Sequence, residues 1–183
     1  MKKKLSQFVL KLMGWKVTNI IPETPKCVIA VAPHTSNFDF IIGKLAYTSI
    51  GRTANFLIKK SWFVFPFNIF FNSIGGIPVD RKRNTSVTDT LAAEFKKRDK
   101  FQLAITPEGT RKRVKEWKKG FYFISLKANV PIVLVGLDYA RKTVSFLDTF
   151  YPTGEVEADM AIIQSKFAGI QGKHLDRSTI SKV

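Results

Sequence analysis

Six consecutive apolar residues, Cys27-Val28-Ile29-Ala30-Val31-Ala32, constrain the fold of this chain more than any other feature. A strand with no polar position has no side to offer to water, so it must be covered on both faces, as strands inside an α/β sheet are. Pro33 then ends the run, because proline has no amide hydrogen to give to a ladder. Further segments at 54–58, 76–80, 101–106, 131–138 and 143–148 read as strands, and 37–50, 61–73, 85–98, 117–129 and 155–168 read as helices. Segment 85–98 has the clearest start: Thr85, Ser86 and Thr88 offer caps, and Leu91, Ala92 and Phe95 form its apolar stripe. This alternation predicts an α/β fold, a single domain with a mixed sheet flanked by helices.

With 183 residues, 45% of them hydrophobic, the chain can bury about 70% of its unfolded surface in one core. We divide it into an N-terminal amphipathic helix within 1–20, a domain over 21–170 and a mobile tail over 171–183. The single cysteine, Cys27, lies inside an apolar run, which excludes an internal disulfide, favours a reducing compartment and marks the thiol as inert core. Two histidines and one cysteine far apart in sequence have no zinc-ligand spacing, and no metal is expected.

A formal charge of +16, from 30 Lys and Arg against 14 Asp and Glu, implies an anionic partner: nucleic acid, a phospholipid surface, an acidic carrier protein or a phosphorylated small molecule. The apolar stretch from Trp62 to Phe71 suits a buried or lipid-contacting segment and fits a nucleic-acid face poorly. It is too short to span a bilayer, which takes about 20 apolar residues, and Pro66 interrupts it. At the N-terminus Lys2, Lys3 and Lys4 precede the stripe Leu5, Phe8, Val9 and Leu12, with Trp15 beyond. That is how a short helix on an anionic membrane reads, and equally how a helix packed on its own domain reads.

Directly after the first apolar run come His34-Thr35-Ser36-Asn37-Phe38-Asp39. Strand-end loops are where α/β proteins keep their chemistry. On one regular helix His34 and Asp39 point about 140° apart, since each residue turns about 100°. If His34 stays on the loop and the helix starts near Ser36 or Asn37, Asp39 falls in the first turn and can reach back to the imidazole. A carboxylate there fixes the tautomer and leaves the other ring nitrogen to take a proton. The alternative is an S-x-x-D capping box in which Asp39 serves only the helix.

Three more strand ends carry charge. Gly75-Gly76-Ile77-Pro78-Val79-Asp80-Arg81 would bring out Arg81, whose planar fork suits phosphate, beside glycines that permit close backbone approach. Thr106-Pro107-Glu108-Gly109-Thr110-Arg111 mixes a carboxylate, a flexible glycine, a hydroxyl and an arginine. In it Glu108 could hold Arg111 or a substrate hydroxyl, and Arg111 with the backbone amides could hold a phosphate. Lys59 and Lys60 follow Phe56-Leu57-Ile58. Each set reads equally as solvated surface charge.

Taken together and in this order, the blocks resemble the glycerolipid acyltransferases of the lysophosphatidic acid acyltransferase family. His34 and Asp39 match the family's H-x4-D block, Gly75 to Arg81 its second block, Glu108 to Arg111 its E-G-T-R block, and Val130 to Val135 its V-P-I block. Pro78 stands where the second block usually has phenylalanine, and Leu134 replaces a second proline in the last. The resemblance implies fatty acyl transfer from an acyl carrier protein or coenzyme A thioester, a cosubstrate and not a resident cofactor, to a lysophospholipid hydroxyl. Lysophosphatidic acid is the first acceptor it suggests and an amino-acid-containing lysolipid the second, with a non-catalytic membrane lipid-binding module as the alternative to catalysis. It further implies His34 as general base, Asp39 as its orienting partner, Lys59, Arg81 and Arg111 as phosphate holders, and Glu108, Gly109 and Thr110 as the loop that positions them. An anionic membrane on its cytoplasmic face is the implied setting, with peripheral or monotopic attachment and no nucleic acid.

Overall fold

The structure, a computed structural model, describes residues 1–79 and 87–178. Helix α1 (Lys2–Leu12) leads into a three-residue strand β1 (Lys16–Thr18), and the apolar run forms β2 (Lys26–Ala32). There follow α2 (Phe38–Ser49), β3 (Asn55–Lys59), α3 (Phe67–Ser73), β4 (Gly76–Val79), α4 (Val87–Lys97), β5 (Phe101–Ile105), α5 (Gly120–Ala128), β6 (Ile132–Asp138), β7 (Thr143–Phe150) and α6 (Val156–Ser165). The seven strands form one sheet in the order β1-β7-β6-β2-β5-β3-β4. Five of them, from β6 to β4, run parallel; β7 is antiparallel to β6, and β1 runs with β7. The sheet is therefore mixed, as the alternation of segments predicts.

Side chains alternate across a pleated strand, and β2 accordingly feeds two cores. Val28, Ala30 and Ala32 pack with Leu91 and Phe95 of α4, Phe121 and Ile124 of α5, and Met160 and Ile163 of α6. Cys27 and Ile29 face the other way, onto Leu10 of α1 and Ile42 and Ala46 of α2. Every one of these is buried, and each large aliphatic or aromatic among them contributes about 1.5–3 kcal/mol. Burial pushes the Cys27 thiol up to about 12, in keeping with an inert core position. Leu134, one of the two departures from the family blocks, faces the α4, α5 and α6 core at 0% exposure.

Four expectations need adjustment. The 61–73 segment is not one helix: a single 3-10 turn covers Lys60–Trp62 and α3 starts only at Phe67, because Pro66 cannot sit inside a helix. The backbone freedom expected of Gly75 and Gly76 serves packing. Gly75 has a φ of +90°, and a Cβ on Gly76 would stand 2.9 Å from the Phe71 carbonyl oxygen and 2.8 Å from Ile58 Cδ1. Residues 171–174 are held to the domain, since the Gln171 carbonyl accepts from the Tyr139 amide at 2.8 Å and the His174 amide donates to Thr35 Oγ1 at 3.2 Å. Finally β1, which the sequence pattern did not suggest, pairs with β7 through Lys16, Val17 and Thr18. Thr85 and Ser86, the expected caps of α4, lie outside the described residues.

Helix α1 settles how its stripe is used. Ser6 and Leu10 are buried against the domain, and Gln7 donates to the Ser49 carbonyl of α2 at 2.9 Å. Leu5, Phe8 and Leu12 point away, 64%, 64% and 77% exposed. The helix is thus docked on its own domain and still presents an apolar outer face.

Candidate active site

The parallel strands β2, β5, β3 and β6 end on one edge of the sheet, and chemistry gathers there. His34 sits on the loop after β2, two residues beyond Ala32, and Asp39 lies in the first turn of α2. His34 Nδ1 and Asp39 Oδ2 are 3.1 Å apart. The same oxygen accepts the Thr35 amide at 2.7 Å and the Ser36 amide at 2.8 Å. The capping box and the histidine partner are therefore one arrangement: the aspartate that satisfies the helix start also holds the ring. Asp39 Oδ1 accepts the Tyr139 hydroxyl at 2.6 Å.

These contacts decide the state of Asp39, which is 3% exposed. Burial by itself would raise its carboxyl, but the bonds from His34, Tyr139 and the Ser36 and Thr35 amides outweigh it and hold the group below its ordinary value. An ionised Asp39 selects the tautomer that carries hydrogen on Nδ1. Nε2 then keeps its lone pair, and among the described residues it makes no hydrogen bond.

Glu108, on the loop after β5, anchors the other side. Its Oε1 accepts the His34 amide at 2.9 Å, so it positions the histidine backbone and pairs with no cation among the described residues. It is 2% exposed, and its Oε2 is buried without a hydrogen-bond partner among the described residues. Burial accordingly pushes its carboxyl up. Gly109 turns the loop at a φ of +63°, and a Cβ there would meet Lys118 Cδ at 2.9 Å. Thr110 is half-buried, and exposed Arg111 reaches across to donate to Asn37 Oδ1.

Between α2 and the sheet runs a cavity of about 580 Å³. His34, Asp39, Gly109, Thr110 and Arg111 belong to its wall at the sheet edge, and Ile29, Ala46, Phe56, Val135 and Phe146 continue it as an apolar passage. Tyr47 and Arg52 also line it. Lys59 ends β3 on the same edge but is exposed and outside this wall. Arg81 lies outside the described residues. Lys44 of α2, which pattern reading passed over as a helix position, does line the cavity and donates to the Ile74 carbonyl at 2.8 Å. Tyr139 was also missed, although the strand-end rule that marked His34 and Glu108 applies to it, directly after β6. No cluster of three or more His, Cys, Asp or Glu able to hold a metal occurs among the described residues.

A family model described as acyltransferase matches residues 16–138. The chain belongs to this acyltransferase family, and the enzyme is an acyltransferase. Its fold is similar to the crystal structure of PlsC, the 1-acyl-sn-glycerophosphate (LPA) acyltransferase from Thermotoga maritima, with a TM-score of 0.62 and 17% identity over 88% of this chain and 75% of that one. A search of curated proteins gave no match.

Proposed function

We propose that this acyltransferase moves a fatty acyl group from an acyl carrier protein or coenzyme A thioester to the free hydroxyl of a lysophospholipid, with lysophosphatidic acid as acceptor and phosphatidic acid as product. One observation carries the reading. The His34–Asp39 pair, 3.1 Å apart, stands in the wall of a mostly apolar cavity large enough for an acyl chain. His34 Nε2 takes the proton as the acceptor oxygen attacks the thioester carbonyl. The C–S bond then breaks, and the leaving thiolate takes that proton from the imidazolium. Base assistance of this kind contributes about 10²–10⁴-fold. Asp39 orients the ring, and no acyl-enzyme is required.

Arg111 stands at the cavity wall as the cation for the acceptor phosphate, with Lys59 and Arg81 as further phosphate holders. Glu108, Gly109 and Thr110 shape the loop that aims Arg111. The departures Pro78 and Leu134 are absent from the cavity wall.

For the setting, we propose peripheral attachment to the cytoplasmic face of an anionic membrane. Leu5, Phe8 and Leu12 on α1, with Trp62, Phe65, Phe67, Ile69 and Phe70 around α3, are all more than half exposed. Lys2, Lys3 and Lys4 beside them add attraction to anionic lipid. No helix among the described residues is long and apolar enough to cross a membrane.

The test is turnover of labelled acyl carrier protein and coenzyme A thioesters against a panel of lysolipids, with His34→Ala alongside. Phosphatidic acid from lysophosphatidic acid, lost in the variant, is the expected result. Product confined to another lysolipid overturns the acceptor, and full activity in a folded His34→Ala overturns the mechanism.

A further inference from the structure

Asp39 carries an uneven load. Its Oδ2 meets three donors, the Thr35 and Ser36 amides and His34 Nδ1, while Oδ1 has one partner, the Tyr139 hydroxyl at 2.6 Å. The terminal torsion of an aspartate is soft, and turning it swings both oxygens together, so a bond to Oδ1 resists the same turn as the three bonds to Oδ2. The bond to Oδ1 is the one that holds the plane from its far side, and with it the direction in which Oδ2 presents itself to the imidazole.

We propose that Tyr139 is a positioning residue for acyl transfer: its hydroxyl, delivered from the end of β6, locks the plane of Asp39 and thereby the orientation of His34. This rests on the reading of His34 and Asp39 as the working pair. Tyr139 is absent from the cavity wall, and its contact with the working pair is the bond to Asp39.

Its own placement is over-determined. The Tyr139 amide donates to the Gln171 carbonyl at 2.8 Å. Its ring meets that of Trp15 edge to face, with centroids 4.9 Å apart and an interplanar angle of 87°. Trp15 is 7% exposed and follows α1. Burial and the adjacent Asp39 push the phenol well above its ordinary value, so the hydroxyl keeps its hydrogen and remains a donor. A phenylalanine at 139 would keep the ring, the Trp15 contact and the backbone bond, and would delete only the lock.

The experiment measures kcat and KM with acyl-coenzyme A and lysophosphatidic acid for the full chain, His34→Ala, Tyr139→Phe, Asp39→Ala and the last two combined. Tyr139→Phe is expected to lower kcat about tenfold with KM within about twofold. In the Asp39→Ala background, where the Tyr139 hydroxyl has no side-chain partner at position 39, it should cost less than about twofold more, because two residues acting as one unit are not additive. A second readout needs no turnover: the proton resonance of the bonded His34 Nδ1–H, easily assigned with only His174 beside it, should broaden or vanish in Tyr139→Phe while the amide spectrum stays dispersed.

Undiminished kcat in Tyr139→Phe, an equal loss with and without Asp39, a loss confined to KM, or an unchanged His34 resonance each overturns the proposal. The two readings fail differently. If His34→Ala remains active, the catalytic pair itself is wrong; if it is inactive and Tyr139→Phe is fully active, only the role of Tyr139 falls.

Discussion

Replacing Asp39 by asparagine removes one charge and almost nothing else. The amide oxygen can take the place of Oδ2 and accept the Thr35 and Ser36 amides and His34 Nδ1, while the amide nitrogen donates to a reoriented Tyr139 hydroxyl. On the proposed mechanism, what disappears is the attraction between the carboxylate and the positive charge that develops on His34 as it takes the hydroxyl proton. Unit charges about 4 Å apart at an effective permittivity of about 20 attract by about 4 kcal/mol. That permittivity suits a pair whose side chains are 18% and 2% exposed. With half the proton transferred at the transition state the loss is about 2 kcal/mol, or about thirtyfold in kcat, and with full transfer about a thousandfold. Bonds to a charged acceptor contribute about 1.5–3 kcal/mol and to a neutral one about 0.5–1.5. The relief of no longer burying a charge offsets part of that difference, so stability should fall by about 1–3 kcal/mol, or roughly 3–10 °C in Tm for a chain of this size. Steady-state kinetics on freshly folded protein, paired with a thermal melt, checks both figures. A loss below about threefold in a variant that melts cooperatively would refute the electrostatic argument.

Three further outcomes are expected. Phe8→Asp should release the protein from anionic vesicles in a flotation assay with Tm unchanged, because Phe8 is 64% exposed on the outer face of α1; a large drop in Tm with binding retained would assign that face to the core. Gly43→Leu should shift donor preference toward shorter acyl chains, since Gly43 lines the cavity and a Cβ there meets nothing within 4 Å; replacing a helical glycine should also add up to about 1 kcal/mol, and an unchanged chain-length profile with intact folding would refute it. In urea titrations, Asp39 should contribute acid sensitivity. Its folded carboxyl titrates below the unfolded value of about 3.9, so its stabilisation is complete above that pH and is lost as pH falls through the folded value. Glu108, whose carboxyl is raised, acts in the opposite sense and costs stability as pH rises from its unfolded value. Asp39→Asn should therefore lose less stability between pH 5 and pH 3 than the parent chain, and an equal loss would refute the assignment.

What could be read from sequence divides along physical lines. The run 27–32 announced a strand covered on both faces because nothing in it tolerates water, and the His34 to Asp39 spacing announced a loop-to-helix reach because helix geometry forbids the alternative. Both are local statements, and the structure bears out the strand and shows the contact. The segment around Pro66 misled through its apolar density, which records burial or lipid contact and says little about helical continuity. Strand β1 has three residues and no period to detect. Lys44 and Tyr139 matter through neighbours distant in sequence, Ile74 for the lysine and Asp39 for the tyrosine, so a strand-end position can mark Tyr139 as a candidate without showing its partner. The buried Glu108 was expected to face a cation or substrate, and its actual partner, the His34 amide, follows only once β2 and β5 lie side by side.

That adjacency has a consequence for how the protein is made. The loop holding His34 and Asp39 is synthesised before its partners: Glu108 follows 74 residues after His34 and Tyr139 follows 100 residues after Asp39. At about 5–20 residues per second, the wait for Tyr139 is about 5–20 s. Throughout it α1, with Leu5, Phe8 and Leu12 on its outer side, is already synthesised, so its apolar face is made well before the contacts that join His34, Asp39, Glu108 and Tyr139 can form.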